Sequence, residues 1–321
     1  MEMAKQDFKN NLPHQTGGIY LLDGGAETTM IFHENLELAH FAAFVLVNTS
    51  DGREALKRYF RNHANVAVRN HVGFIFETPT WRASADWGEM LGYDAKSLAQ
   101  VNRDAVELLE DIRDEYAGTQ SRFLMSGCIG PRGDGYTISL AMSAAEAQAY
   151  HTPQVKTLAQ AGVDMVSAIT MTYPDEAIGV VRAAQSAQVP VVISFTVETD
   201  GWLPSGHTIG EAIEIVDTAT GDGPAYYMIN CAHPTHFWDA ITSGGAWVKR
   251  IGGLRANASR MSHAELDDAV ELDEGNPLQL GQEYRQLRHI IPSINVMGGC
   301  CGTDHRHISA ICDAITIDIA A

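Results

Sequence analysis

The sequence predicts an α/β protein, a (β/α)₈ TIM barrel that forms a single domain over residues 1–321. Eight short apolar runs alternate with helical stretches along the chain. The runs are continuously apolar, which is typical of strands buried on both faces of a parallel sheet. A content of 45% hydrophobic and 19% charged residues is that of a globular domain. An open doubly wound sheet is the alternative that the same alternation allows.

The predicted strands are short runs rich in β-forming residues, and the connections between them differ in length. Two connections are long, one after the first strand and one between the seventh and eighth, and long loops commonly carry function or quaternary contacts. The predicted strands are 19–22, 72–76, 122–126, 164–168, 191–195, 225–229, 251–255 and 294–297.

Start signals for helices occur between these runs. A serine or threonine followed three residues later by glutamate forms a capping box. Proline followed by acidic residues is typical of the first turn of a helix. The chain shows these signals at Ser143 with Glu146, at Thr208 with Glu211 and at Pro174, and helices are also predicted from Asp51, over 94–116 and over 304–315.

The charge balance excludes some classes of partner. With 22 basic and 40 acidic residues, the net charge is −18, so we expect neither a nucleic-acid partner nor binding to an anionic membrane. No apolar run reaches the roughly 18 residues of a spanning helix, and residues 1–10 lack the apolar core of a signal peptide. We therefore expect a cytoplasmic protein, in which five cysteines form no disulfide framework.

Cysteines follow two of the predicted strands. In a barrel the active site lies at the carboxyl ends of the strands, where Cys231 follows the sixth strand and Cys300 and Cys301 follow the eighth. Two adjacent side chains can reach one ion only where the backbone bends, and the glycines of GGCCG (298–302) permit a bend. Three thiolates with an open fourth position form a catalytic Zn²⁺ site. A buried cysteine pair in a glycine turn is the alternative, which is favoured for an isolated CC pair and disfavoured when Asn230-Cys231 stands at a second strand end.

Six motifs spread over nearly the whole chain suggest a family. They are LLDGG (21–25), TPTWRAS (78–84), SGCIGPRGD (126–134), SFTVETDGWLPSG (194–206), INCAHP (229–234) and MGGCCGTDHRHI (297–308). By these motifs the sequence resembles the homocysteine S-methyltransferase family, which includes the betaine–homocysteine enzymes. The order NC, then GGCCG, is the most specific part. The resemblance implies a barrel that holds Zn²⁺ through Cys231, Cys300 and Cys301 and transfers a methyl group to a thiol.

The resemblance also implies the substrates, which are small molecules. Folate-dependent relatives carry extra domains and betaine enzymes a longer C-terminal extension. A sulfonium donor (S-methylmethionine or S-adenosylmethionine) is therefore favoured, with homocysteine as the acceptor and methionine as the product. A betaine-type donor, another thiol acceptor and a zinc-binding regulator without turnover are the alternatives. A Schiff-base aldolase is disfavoured, because Lys249 lies at the wrong end of strand seven. The sequence carries no signal for the oligomeric state.

One departure from the family concerns the amino group of the acceptor. The family has a Glu-Thr pair after strand four, and the glutamate holds the amino group of homocysteine. Here Ile169 stands at the position of the glutamate, and Thr170 matches the threonine. Either a glutamate at another strand end replaces it or the acceptor has no ammonium there. The candidates, each also interpretable as a solvated loop residue, are Glu27, Glu77 and Glu198.

Further side chains at the strand ends are expected near the substrates. The predicted substrate contacts are Asp23, Gly24, Glu27, Glu77, Trp81, Thr170, Glu198 and Asn230. Tryptophan faces could bind a cationic donor, although packing is the default for Trp81, Trp87 and Trp202. Packing is likewise the interpretation for the thiols of Cys128 and Cys312. Capping or surface positions, or support for the metal ligands, are the interpretations for His233, His305 and His307.

Overall fold

The computed structural model describes residues 12–316 and is a closed barrel of eight parallel strands in sequence order. Each strand pairs with its neighbours in the chain, and the first strand also pairs with the eighth. The predicted barrel is therefore confirmed, and the alternative of an open sheet is excluded. Residues 1–10, predicted to contain no signal peptide, and the two ends of the predicted 1–321 domain lie outside the described residues.

Strands and helices alternate along the described chain. The strands are β1 (Tyr20–Leu21), β2 (Gly73–Glu77), β3 (Phe123–Ile129), β4 (Met165–Met171), β5 (Val191–Thr196), β6 (Tyr227–Asn230), β7 (Ile251–Ala256) and β8 (Val296–Gly299). The α-helices are α1 (Pro13–Thr16), α2 (Ala26–Phe32), α3 (Ser50–Arg69), α4 (Ala85–Met90), α5 (Ala95–Glu115), α6 (Ala144–Ala161), α7 (Pro174–Ser186), α8 (Ile209–Thr220), α9 (Pro234–Thr242), α10 (His263–Asp267), α11 (Pro277–Ile290) and α12 (His305–Thr316). In the described residues, no helix has the length and apolar character needed to cross a membrane.

The continuously apolar strands divide their side chains between two cores. Residues such as Leu22, Ile75 and Val192 fill the inside of the barrel. Alternate residues, such as Leu21 and Phe74, pack against the surrounding helices. Because successive side chains of a strand point to opposite faces, a strand buried on both faces must be apolar throughout.

The strand ends differ from the prediction by a few residues. β3 and β4 extend to Ile129 and Met171, so residues 127–129 and 169–170 lie within strands instead of after them. β4 is irregular at this point, because its register with β5 shifts between Ala168 and Met171. Thr170 lies inside the shift with a φ of 66°. In β3 and β4, pairing with neighbouring strands therefore continues past the apolar run that predicted the strand.

The helix-start signals are confirmed. In the capping box at Ser143, its hydroxyl accepts from the Glu146 N–H and the Glu146 carboxylate accepts from the Ser143 N–H, and Thr208 with Glu211 repeats the arrangement. α7 begins at Pro174 as predicted. The helix predicted from Asp51 begins one residue earlier, at Ser50, with Thr49 as its N-cap.

We expect Thr49→Ala to lower the free energy of unfolding by about 1 kcal/mol, a typical effect of losing an N-cap. The Thr49 hydroxyl accepts the Gly52 N–H at 3.1 Å at the start of α3. Urea unfolding followed by circular dichroism measures the change. Thr49→Ser keeps the hydroxyl and is the matched control. Equal unfolding midpoints for the two variants would show that the cap contributes nothing.

Candidate active site

The predicted cysteine cluster is present at the carboxyl ends of β6 and β8. The Sγ atoms of Cys231, Cys300 and Cys301 all lie within 4.8 Å of one another. Cys231 and Cys300 are joined as a disulfide, and Cys301 has a free thiol. Three soft sulfur donors at this spacing fit a single metal ion once the disulfide is reduced, because thiolates are the form that binds a metal.

β7 lies between the two cysteine-bearing strands and holds both through its backbone. The Cys231 N–H donates to the Arg255 carbonyl at 3.1 Å, and the Cys300 N–H donates to the Ala256 carbonyl at 2.8 Å. Just beyond the strand, the Ala258 N–H donates to the Cys301 carbonyl at 3.1 Å. The position of each cysteine is therefore set by one strand end.

Side chains from the segment after β7, one in the loop and one at the start of α10, hold the turn at Cys231, which has a φ of 53°. Its carbonyl accepts from Asn257 Nδ2 at 3.0 Å and from His263 Nε2 at 2.6 Å. The His263 ring also packs on Tyr136, with centroids 4.0 Å apart, and the Tyr136 hydroxyl lies 3.8 Å from Cys301 Sγ. Non-glycine residues at positive φ are costly and concentrate at functional sites. These contacts stabilise the strained turn.

Asn230 links β4, β5 and the cysteine cluster. Its Oδ1 accepts from the Thr170 N–H at 2.9 Å and from the Ser194 hydroxyl at 2.6 Å. Its Nδ2 donates to Thr170 Oγ1 at 2.8 Å, and this hydroxyl lies 4.0 Å from Cys231 Sγ. Thr170 and Asn230, both predicted at the site, are thus part of one hydrogen-bonded unit beside the sulfurs.

Glycines are needed where the ends of β1 and β8 approach each other. A Cβ added at Gly25 would lie 2.6 Å from the Cys300 carbonyl oxygen, which is closer than real contacts allow. Gly302 has a φ of 77°, a conformation that favours glycine. The DGG and GGCCG motifs therefore belong to one structural feature, the close contact of the two strand ends.

A cavity opens beside the cysteines, and a buried ion-pair network forms part of its lining. Arg255, at the end of β7, donates to the Asp23 carboxylate at 2.8 Å and contacts the Glu77 carboxylate. It also donates to the carbonyls of Gly24 and Gly299, each at 3.1 Å. Glu77 is therefore a buried ion-pair partner and not a solvated loop residue. Sequence reasoning missed Arg255, although a charged residue ending an apolar strand run was a usable signal.

Two residues of α3, Tyr59 and His63, were also missed. The Tyr59 hydroxyl donates to the Gly24 carbonyl at 2.8 Å and lies 3.1 Å from the Asp23 carboxylate. His63 accepts the Gly24 N–H at its Nε2 and contacts the Tyr59 carbonyl through its Nδ1. Burial lowers the pKa of His63 to about 4, so the ring stays neutral and can accept this bond.

The remaining predicted carboxylates differ in their surroundings. Glu27, in the first turn of α2, lines the cavity together with Asp23, Gly24 and Trp81. Burial raises the pKa of Glu27 to about 7. The Glu198 side chain is 40% exposed and lies 3.5 Å from His263 Nδ1. Glu198 is not among the residues that line this cavity, so Glu27 is brought to it and Glu198 is not.

The tryptophans already have a cationic partner in the chain. The Arg82 guanidinium lies 4.3 Å from the Trp81 ring centroid and 3.6 Å from that of Trp87. Trp81 also donates through Nε1 to the Ile169 carbonyl at 3.2 Å and lines the cavity. The Trp202 ring is 48% exposed. Packing is thus evident for Trp81 and Trp87, and of the three only Trp81 reaches the cavity.

The other cysteines and histidines lie outside the cluster. Cys128 is buried at the cavity, where burial and the Glu77 carboxylate raise its pKa well above the ordinary value. Cys312 is buried in the apolar core. The predicted capping or surface positions are found for two histidines, because His233 caps α9 and His305 is exposed. His307 is instead fully buried against Asp304 and the Glu274 carbonyl.

The fold and the site together define a (β/α)₈ barrel enzyme with a thiol cluster at its active-site face. A sequence profile described as homocysteine S-methyltransferase matches residues 20–315. The chain therefore belongs to the homocysteine S-methyltransferase family and is a methyltransferase.

Solved structures of similar fold include the homocysteine methyltransferase MmuM from Escherichia coli in three forms. The metallated form is 20% identical, with a TM-score of 0.73 over 92% of this chain and 96% of that chain. The oxidized form is 19% identical, with a TM-score of 0.75 over 95% and 98% of the two chains. The apo form is 18% identical, with a TM-score of 0.68 over 96% and 99%. At these identities the similarity shows a shared fold.

Proposed function

We propose that the protein transfers a methyl group from a sulfonium donor, S-methylmethionine or S-adenosylmethionine, to the thiol of homocysteine, and that the reaction depends on Zn²⁺. The observation that carries the proposal is the convergence of three cysteine sulfurs within 4.8 Å at the active-site face of a member of this family. The ligands would be Cys231, Cys300 and Cys301, from the ends of two strands. No cofactor other than the metal is needed.

Zn²⁺ held by the thiolates of Cys231, Cys300 and Cys301 would supply Lewis-acid chemistry that favours the thiolate form of an acceptor thiol at neutral pH. A free thiol has a pKa near 8.5, so little of it is ionised there without help. The Cys231–Cys300 disulfide and the metal exclude each other, since a metal ligand must be a thiolate. Metal loading therefore requires reduced protein.

The residues of the chain contribute position and a shielded site. The acceptor sulfur must approach the methyl carbon opposite to the bond that breaks, so alignment supplies much of the rate. The new S–CH₃ bond takes its electron pair from the acceptor thiolate, and the sulfonium sulfur leaves as a neutral thioether. The thiol proton has by then been released to solvent. Asn257, His263 and the backbone of β7 keep the cysteines in place.

A matrix of methyl donors against thiols, read by mass spectrometry on reduced, zinc-loaded protein, tests the proposal. We expect a sulfonium donor with homocysteine to give methionine at least about tenfold faster than betaine does, equivalent to a difference of about 1.4 kcal/mol in the barrier. The same protein treated with a chelator is the control. Bound zinc with no transfer from any donor would contradict the proposal and favour a regulator. A faster reaction with betaine would reassign the donor.

A further inference from the structure

The charged lining of the cavity has an excess of carboxylates. The acidic and basic side chains that line it are Asp23, Glu27, Glu77 and Arg255. Three carboxylates thus face one guanidinium beside the cysteine cluster. A buried charge is stable only when it is paired and hydrogen-bonded. An unpaired carboxylate in this lining therefore either takes up a proton, as the raised pKa of Glu27 allows, or is matched by the positive charge of a bound ligand.

The single guanidinium is already committed to two of the carboxylates. Arg255 bonds to Asp23 at 2.8 Å and contacts Glu77, and its remaining donors reach the carbonyls of Gly24 and Gly299. The Asp23 carboxylate also lies 3.1 Å from the Tyr59 hydroxyl. These two acidic groups therefore have their partners within the protein.

Glu27 differs from these two carboxylates. Within residues 12–316, no ion pair of 4.0 Å or less is formed by the Glu27 carboxylate. Arg82 lies in its electrostatic field, but this guanidinium is stacked between Trp81 and Trp87 and donates to the Gly133 carbonyl at 3.2 Å. Among the described residues that line the cavity, Glu27 is thus the carboxylate without an ion-pair partner.

The surroundings of Glu27 suit an organic cation attached to a thiol. Cys300 and Cys301 line the same cavity, so a ligand can reach the sulfurs and Glu27 together. β4 contributes Ile169 and Thr170 to the lining of the cavity, and neither side chain is charged. The two other carboxylates of this lining that residues 12–316 supply, Asp23 and Glu77, both pair with Arg255. Glu198 lies outside the lining and faces His263.

We propose that Glu27 binds the ammonium group of an amino-acid thiol acceptor and so selects acceptors that carry this group. This assignment rests on the function proposed above. It replaces three candidate glutamates by one, because Glu77 is paired and Glu198 is outside the cavity. The sulfonium group of the donor is a second cation with the same attraction to a carboxylate, and the experiment separates the two.

Glu27→Gln, which keeps the shape and removes the charge, tests the assignment by binding and by kinetics. Calorimetric titration of zinc-loaded protein compares methionine with 4-(methylthio)butanoate, which lacks only the amino group. We expect Glu27→Gln to weaken methionine binding by about 10- to 100-fold, as for the loss of a charge-assisted hydrogen bond, and to leave the amine-free ligand unchanged. With homocysteine, KM rises and kcat is little affected, whereas 4-sulfanylbutanoate reacts as in the wild type.

Two variants control the experiment. Glu34→Gln makes the same change seven positions further on, where the carboxylate pairs with Arg58 at the surface, and should bind both ligands as the wild type does. Glu27→Asp keeps the charge and should recover part of the preference for methionine. Zinc content and circular dichroism confirm that each variant is folded and loaded.

Other results would overturn the assignment. Equal weakening of both ligands by Glu27→Gln, or no weakening of either, excludes recognition of the acceptor ammonium. A rise confined to the KM of the sulfonium donor assigns Glu27 to the donor instead. If the wild-type protein transfers no methyl group to any thiol, the proposed function fails, and the methionine titrations still decide whether Glu27 binds an ammonium group.

Discussion

Substitution of Cys300 by serine is expected to remove most of the bound zinc and to lower methyl transfer by more than about 100-fold. Loss of a residue that merely supports a metal ligand commonly costs about 10- to 100-fold in affinity or activity, so loss of a ligand should exceed that. Cys231→Ser and Cys301→Ser should behave alike, because the three sulfurs form one cluster. Zinc analysis and a methyl-transfer assay on reduced protein measure both effects.

The barrel should stay folded in these variants, since its apolar cores do not include the cluster. Cys128→Ser, which changes a buried thiol outside the cluster, should keep its zinc. A second group of possible ligands, His33, Glu274 and Asp304, lies elsewhere, and Arg306 already pairs with both of its carboxylates. Full zinc retention in Cys300→Ser, or full activity after exhaustive chelation, would refute the ligand assignment.

The parts of the site that the sequence could predict are those set by strand ends. A strand buried on both faces is apolar throughout, so its end is visible in the sequence where polar residues begin. Cys231 and Cys300 follow such ends, and the closed barrel brings β6, β7 and β8 together. The convergence of the sulfurs therefore follows from strand order and from the glycines around Cys300.

The pairing of charges across the barrel could not be predicted in the same way. Arg255 contacts Glu77 and Asp23, which precede it by 178 and 232 residues. β2 and β7 are not neighbours in the sheet, so no register argument links these side chains. Only the size and closure of the barrel bring the guanidinium and the two carboxylates together. Glu77 consequently looked like a free carboxylate in the sequence and is an ion-pair partner in the structure.

The irregular end of β4 was hidden for a related reason. Ile169 and Thr170 directly follow an apolar run, and nothing local shows that the register with β5 shifts there. The shift is accompanied by hydrogen bonds from Asn230, a residue of another strand. Local propensity is a weak guide where tertiary contacts hold a residue at positive φ.

Arg255→Met is expected to lower the free energy of unfolding by about 3–5 kcal/mol, the usual cost of leaving buried partner charges unpaired. Methionine keeps an apolar side chain of similar length, so the loss reflects Asp23 and Glu77 losing their guanidinium. The Gly299 carbonyl also loses a donor next to Cys300, so zinc affinity should fall by about 10- to 100-fold. Denaturant unfolding and zinc titration measure the two effects.

The opposite end of the same strand offers a matched control for Arg255→Met. Arg250 immediately precedes β7 and pairs with Asp217 at 2.8 Å, partly exposed to solvent. Arg250→Met should cost less stability and leave the zinc affinity unchanged, because ion pairs near water contribute about 0–1 kcal/mol. Adding Glu77→Gln to Arg255→Met removes one of the unpaired charges. The free energy of unfolding should then recover by about 1–3 kcal/mol, a typical interaction energy for residues in contact. Strictly additive effects of these two substitutions would show that Arg255 and Glu77 are not energetically coupled, which would contradict a stabilising ion pair between them.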